Sequence, residues 1–392
     1  MQAYQHIISF LSNYIQINTA HPDPAYDEAI AFLQAHARKD GLMHHCIDLG
    51  NGTQVFVATL VGSDTTLPAL ALIHHMDVVP ALDEPQWVYP PFAGVISEDI
   101  IYGRGAQDMK SVGVIHYHAL RALAQSGKQP RRTLHVIAAP DEELGGFAGT
   151  NLLLQTKAFE ALKIGYVLDE GVASGVSNTV FIKVTERKPL QVRVRAVGIA
   201  AHGSHLLADN PIHKLVQVCS LVVQGQEKRQ LNAGAYEMQG KQLSVNITSL
   251  QAGHAATYNA VPASAEAIFD IRVPQAMSLE QAQELLEQAV QSVAGVSYEV
   301  LASVADYVCA DQEQTELYAL LAQACEQHGL RSIVYHAEAT TDLRYYLQQG
   351  MQGLGISPFT CKEALHATNE SLPVANLVRG YKVLCTFLTH FC

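Results

Sequence analysis

The rhythm of apolar residues changes twice along this chain, and those changes limit the folds open to it. Up to about residue 185, short apolar runs alternate with segments of helical period: LPALALI at 67–73, VGVIHYHALRALA at 112–124, TLHVIAA at 133–139, a helix near 147–161, and IGYVL at 164–168. Continuous apolar runs suit strands covered on both faces, and helices between them suit crossovers. This part therefore predicts an α/β layer with a mostly parallel sheet and helices on both faces. From Leu190 the rhythm differs: LQVRVRAVG alternates strictly, and QLSVNITSL, AEAIFDIRV and VSYEVLA follow, with helices near 211–227 and 278–293 among them. Strict alternation marks strands with one exposed face, which predicts a smaller α+β domain inserted into the first. Helix 313–328, strand GLGIS and a helix near 373–389 then restore the first pattern. The expected domains are 1–186 with 303–392, and the insertion 187–302.

A chain of 392 residues with an apolar fraction of 48% can bury a core large enough for two domains. Its formal net charge of -12 repels nucleic acid and anionic membrane, so a small solute is the expected partner. No run reaches the roughly 18 apolar residues of a membrane span. The opening MQAYQHIISFLSNYIQINTA has no basic stretch before its apolar residues and reads as an amphipathic helix, not a signal peptide. The 7 cysteines are odd in number, scattered and without a C-x-x-C pair, which suits free thiols in a reducing, cytoplasmic compartment.

Acidic and imidazole groups stand directly after the buried strands. LIHHMD carries His75 and Asp77, VIAAPDEE carries Asp141, Glu142 and Glu143, and YVLDEG carries Asp169 and Glu170. Asp108 in GRGAQDMK precedes a helix, and His366 lies in the loop after GLGIS. In open α/β sheets such strand ends converge on one crevice. A lone histidine after a strand is more often a core or surface residue than a ligand, and acids at a helix start are often explained by the helix dipole. Together, at the ends of consecutive strands, they are hard to explain as caps. Two imidazoles and three carboxylates form the N/O donor set of a hydrolytic zinc site, and the absence of cysteine from it argues against a structural zinc. With one carboxylate bridging, five residues supply two metals with three protein ligands each.

HMDVVP (75–80), GRGAQDMK (103–110), PDEELGG (140–146), LDEG (168–171), VNITSLQAG with YNAVPA (245–263), FDIRV (269–273), TTDLRY (340–345) and LHATNE (365–370) resemble, in this order, the motifs of the aminoacylase, acetylornithine deacetylase and succinyl-diaminopimelate desuccinylase family. GRGAQDMK and PDEELGG are most similar to its aminoacylase branch, whereas LHATNE reads like its deacetylase branch.

The resemblance implies a catalytic α/β domain with an inserted lid and dimerisation domain, two zinc ions per subunit (cobalt or manganese being possible substitutes) and a homodimer. It implies hydrolysis of N-acyl-L-amino acids to a carboxylate and a free amino acid; the alternatives are acetylornithine deacetylase-like or dipeptidase activity, or a non-catalytic binding homologue. Residue by residue, His75 and Glu170 would bind one zinc, Glu143 and His366 the other, and Asp108 would bridge. Asp77 would hold the His75 ring, and Glu142 would be the general base. On the inserted domain, His202 and Asn259 would reach the active site of the other subunit. The departure AAHGSH makes His205 a rival to His202, whose distance from Gly198 matches the family spacing. Arg344 would pair with the substrate's α-carboxylate. The Asp108–Met109 peptide would be cis.

Overall fold

The structure, a computed structural model, describes residues 2–82, 84–230, 240–254, 256–307, 312–360 and 365–392. The chain divides into two compact units: Met1–Val184 with Ala310–Tyr335 and Thr341–Cys392, and Thr185–Cys309 with His336–Thr340.

The first unit is built on an eight-stranded sheet in the order Met43–Asp48, Gln54–Leu60, Leu134–Ala139, Ala69–His75, Ile164–Asp169, Gln352–Ile356, Thr179–Glu186, Arg331–Ala337. Its central strands, from Leu134–Ala139 to Gln352–Ile356, run parallel to one another, and antiparallel strands pair with them on both flanks. Successive strand side chains point to opposite faces, which is why an unbroken apolar run serves here. Leu70, Leu72, Val136 and Ala138 join a core with residues of helices Gln5–Ile15, Lys110–Gln125 and Val374–Phe391. Ala71, Ile73 and Ile137 point the other way and are equally buried. On that second face helix Leu343–Gln348 packs closely enough that a Cβ on Gly353 would strike the Leu343 and Leu347 side chains. Truncating a residue such as Leu72 to alanine would cost about 2–5 kcal/mol, because neither face can collapse onto the gap.

The sequence pattern missed several strands. Met43–Asp48 and Gln54–Leu60 form an antiparallel hairpin whose turn is held by the Gly50 N–H donating to Asp48 Oδ1 at 2.8 Å. Thr179–Glu186 and Arg331–Ala337 at the far flank were not anticipated either. The helix expected near 147–161 is two short ones, Thr150–Leu153 and Lys157–Glu160. The Thr156 side chain accepts from the Phe159 N–H and starts the second helix afresh, an N-cap interrupting what the periodicity reads as one helix.

The second unit carries a four-stranded antiparallel sheet in the order Ser244–Ala252, Ser264–Val273, Lys188–Val197, Val296–Ser303. Burial alternates residue by residue along Ser264–Val273. Its buried side, with Phe269 and Ile271, packs with Leu190, Val192 and Val194 against Leu215 of helix Pro211–Gln230 and Leu286 of helix Leu279–Gln291. The latter helix opens with a capping box between Ser278 and Gln281.

Among the described residues no helix is long and apolar enough to cross a membrane. Cys46, Cys219, Cys325, Cys385 and Cys392 are free thiols, while Cys309 and Cys361 lie outside the described residues.

Candidate metal and active site

Because the four central strands are parallel, their carboxyl ends share one edge of the sheet, and the acidic and imidazole groups collect there. His75 is the last residue of its strand, and Glu170 follows Asp169 at the end of the next. Glu142 and Glu143 lie in a single 3-10 turn, Glu142–Leu144, entered through Asp141 at φ 76°. His366, at φ 58°, belongs to the loop after Gln352–Ile356. Asp108 stands just ahead of helix Lys110–Gln125, and the Asp108–Met109 peptide is cis.

The Asp108 carboxylate faces two imidazoles with different oxygens: His75 Nε2 is 3.2 Å from Oδ1, and His366 Nε2 is 2.8 Å from Oδ2. His75 Nε2 also lies 3.5 Å from Glu170 Oε1 and 3.9 Å from Glu142 Oε2, and His366 Nε2 lies 3.9 Å from Glu143 Oε1. Donor atoms of His75, Glu142 and Glu170 fall within 4.8 Å of one another, as do those of His75, Asp108 and Glu143. The cluster is buried or nearly so except for His366, whose side chain is 51% exposed.

Burial acts first on the charges here. It drives the Glu142 carboxyl well above the usual range against the pull of His75, and the Glu170 carboxyl likewise, with Asp108 adding repulsion. Burial and the Asp108 charge lift Glu143 to about 7. Burial also opposes ionisation of Asp108, but hydrogen bonds from His366 and His75 outweigh it and keep that carboxyl low. Among the described residues, the ion-pair partners of Asp108, Glu142, Glu143 and Glu170 are His75 and His366 alone, and Glu143 Oε1 is buried without a hydrogen bond. Crowded carboxylates with only imidazoles to balance them fit divalent cations bound through N and O donors, and no thiol is among them.

Asp77 meets the His75 ring through its main chain more closely than through its carboxylate. His75 Nδ1 is 2.9 Å from the main-chain oxygen of Asp77, while the Asp77 Oδ1 is 3.7 Å away. The carboxylate instead accepts the N–H groups of Glu142 and Glu143 at 3.2 and 3.0 Å, and lies 3.0 Å from His21 Nε2. It thus fixes the turn that presents both glutamates. His21 carried no signal in the sequence, being a single histidine in a proline-flanked loop.

Arg344 is buried, not a surface residue of its helix. Its guanidinium donates to the carbonyls of Gly145 and Thr341 and contacts Tyr345 Oη, which ties it to the PDEELGG loop. That loop turns at Gly146, at φ 64°, where a Cβ would fall on the Asp342 carboxylate. His202 and Asn259 belong to the second unit, both exposed, with Asn259 Nδ2 3.3 Å from His202 Nε2. His205, the rival, lies 6.4 Å from His202 between ring centroids.

Residues 71–390 match the model of peptidase family M20/M25/M40, and the chain belongs to that family. It is a hydrolase, and zinc dependence is what the family implies. Within the family it resembles aminoacylase-1: it is 34% identical to that enzyme from Sus scrofa over 388 residues, 97% of this chain and 94% of the relative. Its fold is shared by an M20 family metallo-carboxypeptidase from Sulfolobus solfataricus, with a TM-score of 0.75 at 16% identity over 97% of this chain and 98% of that one. A dinuclear metal-binding M20 peptidase from Bacillus subtilis has a TM-score of 0.68 at 15% identity over 100% of this chain and 99% of that one.

Proposed function

We propose that this chain is a two-zinc amidohydrolase that cleaves N-acyl-L-amino acids into a carboxylate and a free amino acid. The observation that carries the proposal is the Asp108 carboxylate, whose two oxygens face two different imidazoles, so that a pair of cations held by those imidazoles would have it as a common ligand. On this reading His75 and Glu170 would hold one ion, His366 and Glu143 the other, and Asp108 would be shared by both. Two ions there would polarise the scissile carbonyl and make water acidic enough to attack near neutral pH.

The rest of the reaction belongs to the chain. Glu142 takes a proton from the attacking water as its oxygen bonds to the acyl carbon, and delivers that proton to the amide nitrogen as the C–N bond breaks. Asp77 holds the turn so that Glu142 and the neighbouring ligand Glu143 point to their separate tasks. Arg344 pairs with the substrate's α-carboxylate, a role for which a planar fork is suited. The second unit, residues 187–302 by the sequence reading, serves as lid and dimerisation domain. Its His202 and Asn259 contact the substrate in the other subunit of a homodimer, where His202 stabilises the oxyanion. The proposal includes a cytoplasmic location, in keeping with the free thiols among the described residues.

A screen of N-acetyl amino acids, dipeptides and N-acetylornithine, with chelated and zinc-reconstituted protein, tests this reading. N-acetyl amino acids should be turned over fastest, activity should vanish on chelation, and zinc should restore it. Preference for dipeptides or N-acetylornithine would replace the substrate assignment, and full turnover by metal-stripped protein would overturn the mechanism.

A further inference from the structure

Two motif residues remain without a part in this chemistry, Arg104 of GRGAQDMK and Glu370 of LHATNE. Both are buried, at 2% and 0% exposure, and they are joined by an ion pair of 2.6 Å from Arg104 Nη1 to Glu370 Oε2. The carboxylate is saturated with donors. Oε2 also accepts the Gly105 N–H at 3.1 Å, and Oε1 accepts the N–H groups of Gln107 at 2.7 Å and Asp108 at 3.1 Å. The guanidinium reaches the other way: Nη2 donates to the main-chain oxygens of His366 at 3.3 Å and Ala367 at 3.1 Å. The Gly103 N–H donates to the Glu370 main-chain oxygen at 2.9 Å, and Gln107 Nε2 donates to that of Ser371 at 2.9 Å.

We infer that Arg104 and Glu370 are positioning residues that set the separation of Asp108 and His366 and so tune the affinity of the site for its metal ions. The inference rests on the reading of those two residues as ligands. A buried ion pair is seldom retained for stability alone, since desolvating both charges consumes most of what their attraction gives. This one is bonded to the backbone of Asp108 at one end and of His366 at the other, so geometry at the site is what it controls. Partners that orient metal ligands from behind act in this way, and their loss typically weakens metal binding about 10–100-fold.

Glu370→Gln keeps the shape but removes the charge and sets an amide N–H₂ against backbone donors. Arg104→Lys keeps the charge but cannot reach Glu370 and two carbonyls with one planar fork. The chain's single tryptophan, Trp87, has its ring centroid 5.3 Å from the Arg104 guanidinium and is 8% exposed, so its emission reports whether the junction stays packed.

The experiment titrates zinc alone into metal-free protein for wild type and both variants, with Trp87 emission and thermal unfolding as controls and kcat and KM measured at saturating zinc. In variants that remain folded, zinc affinity should fall about 10–100-fold, with kcat reduced and KM near that of wild type. If Glu370→Gln does not fold, Arg104→Lys carries the same expectation. Folded variants that bind zinc as tightly as wild type and keep its kcat overturn the inference. Failure of both to fold also overturns it, since the pair would then be a staple of the fold. Wild type that takes up no zinc overturns the site reading and this inference with it.

Discussion

Glu142 and Glu143 are neighbours in one turn with opposite assignments, and this makes the sharpest test of the site. Glu142→Gln should retain zinc while the rate falls by roughly two to four decades, and Glu143→Ala should lose zinc; metal analysis beside initial rates separates them, and equal metal loss in both would show the pair assigned the wrong way round. Arg344 allows a second test. Removing it should raise KM for N-acetyl amino acids roughly 10–100-fold, the scale of a hydrogen bond to a charged group. Substrates amidated at the carboxylate and cleaved by wild type as well as the free acids would leave Arg344 a structural part, tying its helix to the PDEELGG loop through the Gly145 carbonyl. The cluster itself was legible in the sequence because its members stand at or after the ends of buried strands, with Asp108 just ahead of a helix. The surroundings were not. His21 reaches Asp77 across 56 positions and Arg104 meets Glu370 across 266, and nothing local in a sequence marks such pairings.

Helix Lys110–Gln125 shows what an amphipathic pattern leaves out. His116 and His118 look like ordinary helix residues, yet both are buried, and a mid-helix glycine, Gly113, is required because a Cβ there would meet the His74 ring. Burial, the first cause in each, lowers the pKa of His116 and His118 to about 3 from an ordinary 6.5. Between those values the unfolded chain binds protons that the folded chain does not, so stability increases with pH across the window and is lost as pH falls from about 6.5 toward about 3. Each imidazole contributes a slope of up to ~1.4 kcal/mol per pH unit there. Urea midpoints should fall from pH 7 to pH 5, and His118→Leu should flatten the dependence; an unaltered slope in that variant would mean His118 is protonated without penalty in the fold. Long periodic elements such as this helix were readable from apolar spacing alone. Gln54–Leu60 was not, although its residues are mostly buried, because the partner strand MHHCID carries two adjacent histidines and no apolar alternation, and the hairpin lacks a two-residue turn.

For the molecule as a whole, the proposal requires two copies. Glu142→Gln and His202→Ala, each inactive, should regain activity when unfolded and refolded together, approaching about a quarter of wild type if subunits mix at random in a two-fold dimer. Mixed dimers that form and stay inactive would confine His202 to its own chain or to no role. The alternating strands of the second unit made its sheet readable, whereas what its exposed residues meet is not written in hydrophobic spacing. The strand order has another bearing, on biosynthesis. Gln352–Ile356 is seated between Ile164–Asp169 and Thr179–Glu186, strands made roughly 170 to 190 codons earlier. A ribosome making these residues in order therefore leaves the place between those two strands open until residues 352–356 have been added. His366 comes later still, so on the proposed assignment of ligands the cluster is complete only once the loop after that strand has been made, and a chain stopped before His366 would lack one of its proposed metal ligands.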